Sequence, residues 1–354
     1  MLDLAHYWYR SSLHLITILL LPLSWLFGIG TKIRRWLYRR GIKKVHRFAI
    51  PVVTVGNITV GGTGKTPFVI WLAHFLKEKG FRPGIVSRGV GGKKQTNPYW
   101  VKPDDIAETV GDEAILLAKH SNCPVVIGID RVAAVRDLLE HTQCNIVISD
   151  DGLQHYRLGR DIEIAIVDGE RRFGNRLLLP AGPLRESVAR LQAVDFTVIN
   201  GGDEQDAYTM SLEPTEFVSL LDPQNKVSFV EFPRQKIHAV AGIGNPGRFF
   251  HVLKQAGFDV VQHPFPDHYL YQTHDVEFTG DDPVMMTEKD AVKCHAYANQ
   301  RYWYLRITAK INNKLEQQLS HRLTLLGVHH DSEEDFSKRP CRVTDHNQCG
   351  SIRE

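Results

Sequence analysis

At 354 residues the chain is long enough for one large or two ordinary domains, and with 43% apolar residues it can bury a sizeable core. A net charge of +3 is too small to argue for a nucleic-acid partner. Five cysteines without a C-x-x-C pair argue for a reduced, intracellular protein without a disulfide framework or structural zinc, and most of the seventeen histidines are scattered singly.

Residues 1–48 form a segment of their own character. From Ser11 to Thr31 no Asp, Glu, Lys or Arg occurs, and leucine, isoleucine, Trp25 and Phe27 fill the stretch. Its length, roughly 20 residues, is at the lower end for a membrane span. A cleaved signal peptide is disfavoured, because no small-x-small site follows. A spanning helix and a helix lying in the membrane interface both remain, and the second is preferred. Asp3, His6, Arg10, His14, Thr17, Ser24 and Gly28 make a polar or small stripe at helical spacing. That stripe would face protein or headgroups while the rest enters lipid. Trp8, Trp25 and Trp36 suit the interfacial zone. Lys32, Arg34, Arg35, Arg39, Arg40, Lys43, Lys44 and Arg47 follow with no acid among them, a cationic collar for anionic lipid. The competing reading is a buried core helix with a solvated basic face.

Next comes an apolar run, Val52–Val55, that reads as a buried strand. The segment Gly56-Asn57-Ile58-Thr59-Val60-Gly61-Gly62-Thr63-Gly64-Lys65-Thr66-Pro67 follows it, and a helix-like stretch, Phe68–Lys79, comes after. Strand, glycine-rich turn, Gly-Lys-Thr and helix in this order make a phosphate loop. Backbone N–H groups and a helix N-terminus form an anion site there. Lys65 would reach the β- and γ-phosphates and Thr66 would hold Mg²⁺. Pro67 fits the first helical turn. The loop ordinarily opens on glycine, and Thr59 stands in that place. A chance glycine-rich turn is the bland alternative. The context favours binding of ATP or GTP through Thr59, Val60, Gly61, Gly62, Thr63, Gly64, Lys65 and Thr66.

Strands and helices then alternate. Further strands are expected at Gly84–Ser87, Val125–Gly128, Asn145–Ser149, Ile162–Val167 and Phe196–Ile199, with a helix over Glu113–Lys119 between them. This rhythm predicts an α/β fold of the P-loop NTPase type, with a doubly wound, mostly parallel sheet over residues 49–224. After a looser polar stretch at Gly201–Asp206, a second βα pattern appears: strand Lys236–Val240, helix Arg248–Gly257, strand Phe258–Gln262, then strands Val284–Thr287 and Tyr302–Ile307. It predicts a smaller C-terminal α/β domain over 225–328. The polar tail, 329–354, is expected to be disordered.

Phosphoryl transfer needs acids to hold a divalent cation and to aim an acceptor hydroxyl. Asn145–Ser149 followed by Asp150 and Asp151 has the form of a Walker B strand, whose acids emerge at the edge where open α/β sheets bind ligands. Asp112 and Glu113 open a helix. They are either a metal ligand and a base, or N-terminal acids favoured by the helix dipole. Gly242-Ile243-Gly244-Asn245-Pro246-Gly247 matches a dinucleotide turn. However, the strand that should end in a ribose-binding acid ends Val260-Val261-Gln262-His263. A tight strand–helix turn near the nucleotide is the better reading.

Taken together, Gly56–Pro67, Ser87-Arg88-Gly89, Val110-Gly111-Asp112-Glu113, Ser149-Asp150-Asp151-Gly152-Leu153-Gln154-His155, Leu179-Pro180-Ala181-Gly182-Pro183-Leu184-Arg185-Glu186, Phe265-Pro266-Asp267-His268 and Thr287-Glu288-Lys289-Asp290 resemble the tetraacyldisaccharide 4′-kinase family of lipid A biosynthesis. The resemblance runs to about residue 327, and Thr59 is no departure within that family. It implies an ATP- and Mg²⁺-dependent lipid kinase at the cytoplasmic face of the bacterial inner membrane. Its lipid A precursor, a tetraacyldisaccharide 1-phosphate, would become lipid IVA, with no obligatory protein partner. By the same resemblance Asp112 is the base, His268 tunes and orients it, and Glu113, Asp150 and Asp151 share the metal with Thr66. Arg88 and Arg185 are candidate phosphate contacts or structural ion pairs. The rival class is a SIMIBI-type nucleotide switch, but its guanine-reading Asn-Lys-x-Asp is approached only by Asn225-Lys226-Val227-Ser228, which lacks the Asp.

Overall fold

The computed structural model describes residues 5–9, 14–93, 98–202, 204 and 206–326. The tail, together with Asp3 and Arg10 of the N-terminal stripe, lies outside the described residues, as does the His6 side chain.

One sheet carries the whole molecule. Its strands are β1 Val52–Gly56, β2 Pro83–Ser87, β3 Tyr99–Trp100, β4 Val125–Ile127, β5 Ile146–Ser149, β6 Ile162–Asp168, β7 Phe196–Asn200, β8 Tyr208–Ser219, β9 Lys226–Ser228, β10 Lys236–Ala241, β11 Asp259–Pro264, β12 Val284–Thr287 and β13 Tyr302–Ile311. The order is β11-β10-β12-β13-β8-β7-β6-β1-β5-β2-β4-β3, with β9 paired to β8. Neighbours from β7 to β4 are all parallel. β1, β2, β4 and β5 are buried along their whole length, which their unbroken apolar sequences foretell.

Alternate residues of these strands feed two helical layers. Val53, Val55, Ile85, Ile146 and Ile148 pack with the helix Lys65–Glu78, the helix Asp112–His120 and the last helix, Asn313–Leu325. Val52, Val86, Val126 and Val147 face the helix Arg131–His141 on the other side. This is the doubly wound arrangement that the alternating pattern predicts. The second half has its own two layers, one around Phe249, Phe250 and Leu253, the other around Val276, Ala291 and Cys294.

The expected boundary at 224/225 falls within a continuous sheet. β8 runs parallel to β7 at Tyr208–Met210 and antiparallel to β13 over most of its length. The chain also returns after β13, when Leu315, Leu319 and Leu323 enter the core of the first half. β8 was not expected from the sequence. Pro214 and Glu216 interrupt the apolar side of its alternation, set by Tyr208, Met210 and Leu212, and only its last three residues are uniformly buried.

The N-terminal segment holds a short helix, Ala5–Trp8, and two further helices, Leu15–Leu19 and Leu21–Arg39, with Pro22 in the first turn of the last. Among the described residues no helix is long and apolar enough to cross a membrane. The stripe faces protein: Thr17, Ser24 and Gly28 are buried, and the Ser24 hydroxyl donates to Leu178 O at 2.8 Å. The opposite face is not a core. Leu15, Leu19, Leu23, Trp25, Leu26, Ile29, Ile33 and Trp36 are all more than half exposed. A buried core helix is therefore overturned, because the protein covers chiefly the small residues of the stripe and leaves the large apolar ones open.

Candidate active site

The phosphate loop is shaped by its glycines and by clamps on its carbonyls. Gly64 has φ 89°, and a Cβ there would lie 2.4 Å from Asn200 Nδ2. Only glycine takes that conformation and that approach without strain. Asn200, at the end of β7, donates to Thr63 O at 3.0 Å, and Asn57 donates to the Thr63 hydroxyl at 3.2 Å. Thr59 and Val60 are tied to the turn at 177–185: Thr59 bridges to Leu184, and Val60 N–H donates to Pro183 O at 2.8 Å. Arg171 donates to Gly62 O at 2.7 Å and Gly244 O at 2.6 Å. Gly244 presses so closely that a Cβ on it would lie 2.1 Å from Gly62 N. The Gly242–Gly247 turn is thus a strand–helix turn packed on the phosphate loop.

Lys65 opens its helix and reaches Asp151 Oδ1 at 3.5 Å. Asp151, a non-glycine at φ 47°, also takes two bonds from Arg185 Nη1, at 2.9 and 3.1 Å. Burial would raise its carboxyl, but Lys65 and Arg185 outweigh that and hold it well below the carboxylate range. Arg185 is therefore in a structural ion pair. Arg88 is exposed and carries no hydrogen bond or ion pair among the described residues. Asp150 is buried. Its Oδ2 takes the Ser87 hydroxyl at 2.8 Å, while Oδ1 has no partner. Burial, with the charges of Glu113 and Asp151, pushes its carboxyl up to about 6.

Asp112 and His268, 156 residues apart, meet at 3.1 Å between Oδ2 and Nδ1. His268 sits at φ 59°, a left-handed conformation uncommon outside glycine and found at sites held by their surroundings. Burial alone would raise the Asp112 carboxyl. The hydrogen bond from His268 and the charges of Lys289, His268 and Lys293 reverse this and hold it low. The bond to Asp112 in turn raises the His268 imidazole, against burial and Lys289. Glu113 is bound by Lys289 Nζ at 3.0 Å, which also reaches Asp267 at 3.1 Å.

The loop, with Lys65, Glu113 and Lys289, borders one cleft of about 500 Å³. Gly62–Thr66 and Glu113 line its first-half wall, and Gly244, Arg248, Phe249, Glu288 and Lys289 the other. A largely apolar cleft of this volume with a few convergent polar groups suits a nucleotide-sized ligand.

The family model for tetraacyldisaccharide-1-P 4′-kinase matches residues 16–324. The chain belongs to that family. It is 50% identical over 302 residues to the tetraacyldisaccharide 4′-kinase of Nitrosococcus oceani, covering 85% of this chain and 88% of that one. It is 48% identical over 316 residues to the Coxiella burnetii enzyme, covering 89% and 94%. The crystal structure of Aquifex aeolicus LpxK in complex with ATP superposes with a TM-score of 0.72 at 30% identity, covering 87% of this chain and 99% of that one. The near match Asn225–Ser228 runs into β9, which pairs with β8.

Sequence reasoning missed Arg171, Asn200 and Lys293. No motif marks Arg171. Asn200 carries one signal, its place at the end of a predicted strand, and Lys293 lies one turn beyond Lys289 in the TEKD segment.

Proposed function

We propose that the chain transfers the γ-phosphoryl group of ATP to the 4′-hydroxyl of a tetraacyldisaccharide 1-phosphate, giving lipid IVA, at the cytoplasmic face of the inner membrane. The observation that carries the reading is a phosphate loop that shares one cleft with Glu113, next in sequence to the Asp112 that pairs with His268, in a chain of this family.

The chemistry follows from the geometry. Arg171 holds the Gly62 carbonyl away from the anion site, so the trans peptide turns the next N–H, that of Thr63, toward it. Lys65 adds a cation at the helix N-terminus. Asp112 accepts the proton of the 4′-hydroxyl as it attacks, and His268 orients the carboxylate and takes up part of the charge change. Phosphoryl transfer asks little more than this positioning and charge stabilisation.

Magnesium fits. Asp150 Oδ1 is buried without a partner, and burial with the neighbouring charges of Glu113 and Asp151 raises the Asp150 carboxyl, which a cation there would offset. Among the described residues no three acid, histidine or cysteine side chains converge as a cage. None is required, since Mg²⁺ keeps waters and phosphate oxygens and takes one or two carboxylates. Asp150 and Thr66 are the donors in this reading, with Asp151 and Glu113 beside them. The ion would neutralise charge on the transferring phosphoryl group.

Lipid access supports the membrane assignment. A four-chain lipid does not leave the bilayer readily, and the exposed apolar face of Leu15–Trp36, followed by the cationic run to Arg47, suits an anionic membrane surface. Exposed Arg88 is the better candidate for a substrate phosphate, because Arg185 is engaged by Asp151. The test is phosphate transfer from labelled ATP to the disaccharide lipid, with GTP for comparison. Lipid-dependent transfer from ATP is expected, and its absence sinks the assignment.

A further inference from the structure

The helix Glu288–Cys294, from the second half, presents two lysines one turn apart, and each meets one of the consecutive acids that open the helix Asp112–His120. Lys289 takes Glu113 at 3.0 Å, and Lys293 lies 3.8 Å from Asp112 Oδ2. Lys289 keeps an exposed edge. Lys293 does not: its side chain is 2% exposed, and its ammonium makes no aligned hydrogen bond.

A buried ammonium is costly unless its charge is matched. Asp290 Oδ1 is 2.9 Å away and supplies one counter-charge. Yet Asp290 is already served at its other oxygen, by Gly242 N–H at 3.0 Å and the Thr287 hydroxyl at 2.5 Å. The Tyr271 ring, 5.1 Å away, closes the site with a cation–π contact. The ammonium therefore stands between two buried carboxylates, with Asp290 on its own helix and Asp112 on the other half. The Asp112 oxygen that it faces is the one that meets His268.

We propose that Lys293 is a positioning residue for phosphoryl transfer. Its buried ammonium, anchored by Asp290, fixes the Asp112 carboxylate in the orientation that keeps Oδ2 on His268 Nδ1. The Asp112–His268 pair is then assembled only where the second half is seated on the first. This rests on the reading of Asp112 as the base, and it adds to that reading a third group that touches neither ATP nor acceptor.

The test uses the full chain with lipid substrate in a mixed-micelle assay. Lys293→Met is expected to lower kcat about 100-fold, the scale of a displaced catalytic group, while the KM for ATP changes by less than about threefold. In an Asp112→Asn background the same substitution is expected to cost nothing further, because it acts through Asp112. Lys293→Met/Asp290→Asn, which removes both charges of the pair together, is expected to match Lys293→Met. An equal fall in the Asp112→Asn background, as a loss of fold would give, overturns the proposal. So does wild-type kcat in the charge-free double variant. Full activity of Asp112→Asn alone would instead strike the base assignment, a separate failure.

Discussion

The two parts of the candidate site, the phosphate loop and the acid cluster, are built by different means. The phosphate loop is held by backbone geometry: positive φ at Gly61 and Gly64, and carbonyls clamped by Arg171 and Asn200. The acid side is held by charge, through Asp112–His268, Glu113–Lys289 and Asp112–Lys293, each pairing the first half with the second. A backbone-built site is local in sequence and reads as a motif. A charge-built site spans more than 150 residues and exists only after the sheet has brought its parts together.

Removing the charge side should do the most harm. Asp112→Ala is expected to lower kcat about 1,000-fold, within the range of general-base catalysis, with ATP affinity nearly unchanged, and His268→Ala to follow with a smaller fall. Unchanged turnover in both variants would remove the pair from the mechanism. On the backbone side, Gly64→Ala is expected to cost about 2 kcal/mol, since a left-handed residue gains a Cβ against Asn200. A melting curve and an ATP titration read it, and a wild-type melt with full ATP affinity would contradict the strain argument. A change on neither side sharpens the contrast. Leu26→Glu, on the exposed apolar face, is expected to weaken binding to anionic vesicles about tenfold while detergent-dispersed substrate turns over normally. Equal sedimentation with vesicles would refute the membrane face.

The smallest effect should be in pH. The His268 imidazole is raised in the fold, so its contribution to stability is complete below about pH 6.5 and fades as pH rises through the folded value. The Asp112 carboxyl is lowered, so its contribution holds above about pH 4 and fades as pH falls through its folded value. Between pH 6 and 8 the melting temperature of His268→Gln should vary less than that of the parent chain. Parallel curves would mean that the pair carries no linkage.

The same contrast explains what was legible in the sequence. Val52–Gly56 and Gly61–Thr66 announce themselves because strand, turn and helix follow without interruption. Asp150 and Asp151 are visible at a strand end. β8 was lost because Pro214 and Glu216 break the apolar side of its two-residue rhythm, and with it went the continuity between the halves. Lys293 has no local signature. A lysine one turn into a short helix reads as a solvated charge until Tyr271, Asp290 and Asp112 close around it.

The turn at 177–185 grips two things at once. On one side it receives Ser24 and Gly28 of the N-terminal helix, and on the other Thr59 and Val60 of the phosphate loop. One short piece of chain thus works as a depth gauge. It sets both how the outer helix is rotated and where the phosphate loop stands relative to that helix. A residue added to or removed from this turn would leave both parts intact and alter the reach between them.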